Sequence, residues 1–200
     1  MGPSRRERAE ETEQALKAAA RQVFAERGYL NTKITDITAA AGRAAGSFYN
    51  HFASKEELLR ALLADLETAG DEQAGQPGHN PDFADPDAVR FHIAGFWRFA
   101  RENAVVMRAM GQAALVNEEF AREIAQFGAE QRLDIADHLD GLVAEGATLP
   151  GTVDTSLAMM FCLVQAISAA VEEGAVRISD DEAVESLTRF VYRGLTGRDY

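Results

Sequence analysis

Cysteine is almost missing from this chain. Of 200 residues only Cys162 carries a thiol, which excludes an internal disulfide and points to a reducing compartment. Proline is scarce as well, with five residues in all, and together with abundant alanine this favours helix over sheet. Long apolar runs are absent: the longest, Leu157 to Val164, is eight residues, far short of the ~18 that a bilayer-crossing helix needs. The N-terminal Arg5-Arg6-Glu7-Arg8-Ala9-Glu10-Glu11 has no apolar segment behind it, so no secretory signal is expected. These absences predict a cytoplasmic protein with no membrane partner.

Signatures of catalysis are missing too. There is no Gly-x-x-x-x-Gly-Lys-Ser/Thr phosphate loop, no Gly-x-Ser-x-Gly elbow and no His-Glu-x-x-His zinc pair. Cys162 lies in an apolar helical stretch without a sequence-near base and reads as a buried, inert thiol. Asp134, Asp137 and His138 share a helical face at i, i+3 and i+4, a pattern that fits an acidic surface face better than a metal site. No catalytic residue, metal ligand or cofactor is therefore expected.

What is present is globular: 46% hydrophobic and 26% charged residues, enough chain for a sizeable core. The net charge of −12 is unevenly spread. Residues 1–55 hold nine basic and six acidic side chains, a net of +3, which leaves −15 on the rest, and all three lysines (Lys17, Lys33, Lys55) fall in the positive part. Such asymmetry suggests a polyanion-facing module joined to a body that polyanions avoid.

Periodicity places helices throughout. Leu16, Ala19, Ala20, Val23 and Phe24 form a stripe over Thr12–Arg27 that Gly28 ends. Shorter helices fit Ile34–Ala41 and Ala45–Asn50, separated by Gly42. Ser54-Lys55-Glu56-Glu57 is a capping box opening a leucine-rich helix. The stretch Gly70–Asp87 is rich in Gly, Pro and Asp and reads as a linker. Beyond it, helical patterns run near Pro86–Asn103, Val105–Val116, Glu118–Gly146, Val153–Gly174 and Asp181–Leu195. No run of alternating β-branched residues exists, so the fold class is all-α.

Residues 28–55 carry the chemistry. Two short helices around a glycine turn make a helix-turn-helix over about residues 33–52, whose second helix enters the major groove of DNA; an ordinary helical hairpin is the alternative. Ile34, Ile37, Phe48 and Phe52 suit the packing of the two helices. Ala44, Ala45, Gly46 and Ser47 are small enough for close approach to a groove. Thr32, Lys33, Thr35, Tyr49, His51 and Lys55 offer donors to phosphate oxygens, with Arg43 as a further candidate, and Ser47, Tyr49 and Asn50 are placed to touch bases or adjacent backbone.

Phe24, Gly28-Tyr29, Thr32, Ile37, Ala41-Gly42, Gly46-Ser47-Phe48-Tyr49-Asn50-His51-Phe52 and Lys55-Glu56-Glu57-Leu58 together resemble the DNA-binding domain of the TetR (tetracycline-repressor-like) family. The resemblance covers residues 10–70 and fades beyond. Two departures stand out. Arg43-Ala44 occupies the place where the family usually has an apolar residue and a Ser, and Ala45 stands where a Lys or Arg is common.

The resemblance implies an N-terminal three-helix domain (10–70) and a helical effector-binding and dimerisation domain (71–200). The function it implies is a ligand-responsive repressor that binds a near-palindromic double-stranded operator as a homodimer. Two apolar stripes, Leu157, Phe161 and Val164 on one helix and Leu187, Phe190 and Val191 on the next, suit the dimer contact, although they also suit a monomer core. Phe91, Phe96, Trp97, Met107, Met110, Phe127, Met159 and Gln165 are candidates to line a mostly apolar pocket for an unidentified apolar or aromatic effector. The competing class is a helical small-molecule-binding protein or enzyme with an incidental helix-turn-helix.

Overall fold

In the computed structural model, which describes residues 4–74 and 79–199, with the side chains of 67–74 left aside, the chain is helical and no strand occurs among the described residues. The helices are α1 (Arg5–Arg27), α2 (Ile34–Ala40), α3 (Ala45–Tyr49), α4 (Lys55–Ala74), α5 (Pro86–Glu102), α6 (Ala104–Ala114), α7 (Glu118–Leu133), α8 (Asp140–Ala144), α9 (Val153–Glu172) and α10 (Asp180–Thr196). A single 3-10 turn, Ala136–Leu139, precedes α8.

Most helix ends follow local signals. Ser54 accepts from the Glu57 amide while Glu57 reaches back to the Ala53 amide, which starts α4. The Thr152 and Ser179 hydroxyls accept from the Thr155 and Glu182 amides and so cap α9 and α10. Helix α1 begins seven residues earlier than the apolar stripe predicts, because Ser4 and Glu7 form a reciprocal capping box in a segment with no large apolar residue. The expected Gly70–Asp87 linker is shorter than composition suggests: α4 continues to Ala74, and residues 75–78 lie outside the described part.

The expected single helix over Glu118–Gly146 is also corrected. It stops at Leu133, and Ile135 leaves helical geometry at φ −119° and ψ 13°. The 3-10 turn that follows buries His138 and Leu139, and the Phe83 amide donates to the His138 carbonyl at 3.1 Å. That long-range bond, with burial of Leu139 and Leu142, overrides continuous helix.

The chain divides into two compact units. One comprises residues 1–69 with 105–124, the other 70–104 with 125–200. In the first, α1 packs on α2 and α2 on α3, and Leu16, Phe24, Ile37, Phe48, Leu58, Leu59, Leu62, Met110 and Phe120 are fully buried. In the second, α5 packs against α9 and α10 around Phe83, Ile93, Trp97, Leu139, Leu157, Met160 and Leu187. The Trp97 indole donates to Asp180 at 3.0 Å, and Arg101 pairs with Glu172 at 2.7 Å. Burial pushes His92 down to about 4, which keeps its ring neutral.

Helix α9 is 20 residues long and apolar enough to cross a membrane by length and composition alone. The run-length test misses this because Gln165 and Ser168 interrupt an otherwise apolar helix. Only 28% of that stretch is buried inside the chain. Cys162 lies on its open side and is exposed, which corrects the buried thiol expected from sequence.

Gly28 ends α1 at φ 74° and ψ 159°, a region that only glycine enters readily. A Cβ there would also stand 3.1 Å from the Gln112 side chain. Gly28→Ala should therefore lower stability by about 1–3 kcal/mol, read from the midpoint of urea unfolding; unchanged stability would show that the turn relaxes freely.

Candidate nucleic-acid interface

Helices α2 and α3 are short, at seven and five residues, and neither is stable alone. They are held by Ile37, Phe48 and Phe52, all buried, with the Phe48 and Phe52 rings 5.6 Å apart. Gly42 turns the chain between them at φ 61°, and the Arg43 amide donates to the Thr38 carbonyl at 2.9 Å. Ala44 occupies the N-cap of α3 and supplies no side-chain cap, so the departure from Ser leaves this helix without that hydrogen bond.

Of the eleven residues expected to face DNA, six are exposed: Lys33, Thr35, Ala45, Gly46, Tyr49 and Asn50. Tyr49 is 60% exposed although its neighbour Phe48 is fully buried. A Cβ built on Gly46 meets nothing within 4 Å, so the fold itself does not demand glycine there. Lys33 starts α2, its amide held by the Asp36 carboxylate at 2.9 Å, and its ammonium forms no ion pair among the described residues. Ser47, in α3, is half-buried.

The other four are turned inward. The Thr32 hydroxyl is buried and donates to the Gly28 carbonyl at 2.8 Å. His51 leans toward Glu13 of α1, 3.9 Å away. Arg43 folds back on Glu11 at 3.4 Å, its Nε buried without a partner. Lys55 donates to the carbonyls of Tyr29 at 2.7 Å and Thr32 at 2.9 Å, and its ammonium sits 4.0 Å from the centre of the Tyr29 ring. Desolvation lowers the Lys55 pKa below the ordinary lysine value. These carbonyls lie 23 and 26 residues away in sequence, so no local pattern announced them.

Sequence reasoning also missed the network that steadies this turn. The Tyr29 amide donates to Gln112 at 2.7 Å and its hydroxyl to Glu56 at 2.8 Å. Arg60 makes a two-pronged pair with Glu123 at 2.8 and 2.9 Å, which raises the arginine pKa and lowers the glutamate's.

The effector candidates divide between the two units. Met107 and Met110 belong to the first unit, and the other six to the second. Trp97 and Met110 are core residues at 2% exposure, Phe96 stacks on Phe161 at 4.4 Å, and Met159 and Gln165 are exposed. An open apolar groove of about 450 Å³ lies along α9 and α10, lined by Met159, Cys162, Leu163, Phe190 and Gly194 among others; of the eight candidates it includes Met159. The dimer candidates divide by burial. Leu157, Val164, Leu187 and Val191 are buried in the second unit's own core, Phe161 is half-buried, and Phe190 is 69% exposed. Among the described residues the group able to hold a metal is His79, His92 and His138, all within the second unit.

Residues 16–62 match the protein-family model described as bacterial regulatory proteins, tetR family. The chain is 52% identical over 50 residues to the HTH-type transcriptional repressor DhaR of Mycobacterium sp. strain GP1, covering 23% of this chain and 25% of that protein. It is 37% identical over 81 residues to the HTH-type transcriptional regulator TtgR of Pseudomonas putida, covering 40% and 38%. The matched stretches thus span about a quarter to two-fifths of these relatives' lengths. By structure, the chain resembles the fatty acid degradation regulator FadR from Bacillus halodurans, with a TM-score of 0.77 and 19% identity over 94% of this chain and 97% of that one. That likeness establishes the all-helical fold.

Replacing Lys55 by Met keeps the aliphatic stem and removes the ammonium from two carbonyls. Each charge-assisted bond contributes about 1.5–3 kcal/mol at most, and partial exposure screens it. A loss of about 1–2 kcal/mol is expected by urea unfolding. Unchanged stability with weakened DNA binding would instead assign the ammonium to a phosphate.

Proposed function

We propose that this chain, a member of the tetR family of bacterial regulatory proteins through its N-terminal domain, is a ligand-responsive DNA-binding transcriptional regulator. In this reading it is a repressor that occupies a near-palindromic operator as a homodimer and leaves it when a small apolar or aromatic effector binds. The domain division is 10–70 for DNA binding and 71–200 for effector and dimer contacts. No catalytic step is assigned to the chain, and it works in the cytoplasm, where the DNA is.

The observation that carries the reading is the exposed face of α3 with the start of α2. Ala45 and Gly46 stand proud with no side-chain bulk, flanked by Lys33, Thr35, Tyr49 and Asn50. A helix presenting this surface can come close enough for amide, hydroxyl and backbone N–H groups to reach base edges and phosphates. Gly46 gives the sharpest test. Gly46→Ala should preserve or raise stability by about 0.5–1 kcal/mol. Gly46→Leu should fold equally well yet abolish enrichment of a two-fold-symmetric site when the protein selects from random duplexes. Selection of the same site by the Leu variant would refute α3 as the reading helix.

The dimer is supported by the open side of α9 and α10. Met159, Cys162, Ala166 and Ala169 recur at helical spacing and are exposed, and Phe190 stands beside them. An apolar face of this kind needs a partner. Two copies would also set two recognition helices about 34–36 Å apart, the repeat of successive major grooves. Phe190→Glu should therefore leave each chain folded and shift sedimentation from twice 21.7 kDa to the single mass at micromolar concentration. A native protein that sediments as a monomer would defeat the dimer.

Release by an effector requires preference for the DNA-incompetent state. A shift from 99:1 to 1:99 takes about 5.5 kcal/mol of differential affinity. By linkage, operator DNA weakens effector binding by the same factor.

A further inference from the structure

Three of the four histidines of the chain converge in the second unit. His79 comes from the segment before α5, His92 from α5 and His138 from the 3-10 turn that interrupts the expected long helix. Their ring centroids lie 4.8 to 5.1 Å apart, and one ring nitrogen of each lies within 4.8 Å of those of the other two. Nε2 of His79 is 3.0 Å from Nε2 of His138.

The outer nitrogens of the two buried rings are already used. Nδ1 of His92 is 2.9 Å from the Ala88 carbonyl, and Nδ1 of His138 is 2.7 Å from the Asp137 carboxylate. A neutral imidazole has one N–H, and both acceptors demand it at Nδ1. The Nε2 atoms of His92 and His138 are then bare lone pairs. With at most one proton from His79 between them, the centre of the trio holds more lone pairs than protons. Mutual N–H···N bonding cannot satisfy that excess; a cation can.

The surroundings match what holds a metal-binding imidazole. A carboxylate or backbone carbonyl on the outer nitrogen sets the tautomer and the ring angle, and Asp137 and Ala88 supply one of each. Phe83 packs its ring at 4.9 Å from His92 and 5.3 Å from His138, and its amide holds the His138 carbonyl. The segment leading from His79 is fastened by Asn80 to Asp85 at 3.0 Å and by the Asp82 amide to Asn80.

We propose that His79, His92 and His138 bind one divalent transition-metal ion of the zinc class, with three imidazole ligands and a fourth position open to water or an anionic oxygen. Three nitrogens and no carboxylate ligand suit zinc, copper, nickel or cobalt and do not suit magnesium or calcium. Tetrahedral bonds of about 2.0–2.1 Å place ligand nitrogens about 3.4 Å apart, so the His79–His138 pair at 3.0 Å opens slightly while separations of up to 4.8 Å within the trio close around the ion. His79 is the exposed member and has room to make that movement. All three ligands lie in one unit, so the site stands apart from the DNA-binding reading.

The test uses the full chain after chelator treatment, titrated with zinc chloride by calorimetry and with cobalt(II) by visible absorption. One ion per chain is expected, with cobalt giving the intense visible bands of a four- or five-coordinate site. His79→Ala removes an exposed ligand without opening the core and should weaken zinc binding at least tenfold. Asp137→Asn, at a carboxylate that is 74% exposed, should weaken it about 10–100-fold. Circular dichroism confirms that both variants stay folded. A stoichiometry well below one, cobalt spectra of the free aqueous ion, or zinc affinity unaltered in His79→Ala would each overturn the site.

Discussion

The reversal of the chain between α1 and α2 hangs on Tyr29, whose polar atoms are held by α4 and α6 of the first unit. Its amide is held by Gln112 of α6, its carbonyl by Lys55 of α4, its hydroxyl by Glu56 of α4, and its ring meets Phe24 of α1 at 5.5 Å. Burial and the Glu56 carboxylate push the phenol above its ordinary range, so its proton stays and the hydroxyl donates. Three helices thereby share one fixed point, and α2 starts five residues later with little freedom to choose its direction. The orientation of α3, which is too short to hold itself, is inherited from that point through Ile37 and Phe48. Gly28 belongs to the same constraint, because its backbone angles aim the Tyr29 amide at Gln112.

This arrangement changes how the positive charge of the first 55 residues is understood. Arg6 pairs with Glu10, Lys17 with Asp65 and Glu13, Arg27 with Asp36, and Arg43 with Glu11; Lys55 is occupied by carbonyls. Surface pairs of this kind contribute about 0–1 kcal/mol each, so their larger effect is to neutralise cations. At the exposed face of α2 and α3 the remaining ammonium is that of Lys33. A DNA reader built this way leans on amide, hydroxyl and backbone donors, which act only at contact distance. Close approach, and hence the absence of bulk at Ala45 and Gly46, matters more than charge.

Local signals made most of the fold legible. Glycine stops, Ser or Thr caps and apolar spacing placed most helices, apart from the early start of α1 and the break after Leu133, and the pattern around Gly46-Ser47-Phe48-Tyr49 marked the helix proposed to read DNA. What escaped was non-local. Lys55 looks like a phosphate ligand at a helix start until two distant carbonyls are seen around its ammonium. The helix break near Ile135 has no Gly or Pro at the break itself; it is imposed by the Phe83 amide from 55 residues upstream. Periodicity found the apolar stripes of α9 and α10 but could not say which side of each helix meets its own core. Leu157 and Val164 face inward, whereas Met159 and Cys162 face out. The histidine trio had no signal at all, since its members are separated by 13 and 46 residues.

Helix α9 is apolar almost all round, and such a helix belongs in an interior. Its own unit covers the side bearing Leu157, Met160 and Val164. The other side offers an open groove of about 450 Å³, and Phe190, 69% exposed on α10, stands at its edge. In the proposed two-fold dimer each residue of the patch meets the patch itself, so a groove and a protruding ring on the same face are complementary by symmetry. The Phe190 ring of one protomer then has a place in the groove of its partner, and the exchange occurs twice. That same two-fold axis is what a near-palindromic operator requires of its reader. The apolar excess of α9, which would be a hazard on a lone chain, thus becomes the element that matches protein symmetry to DNA symmetry.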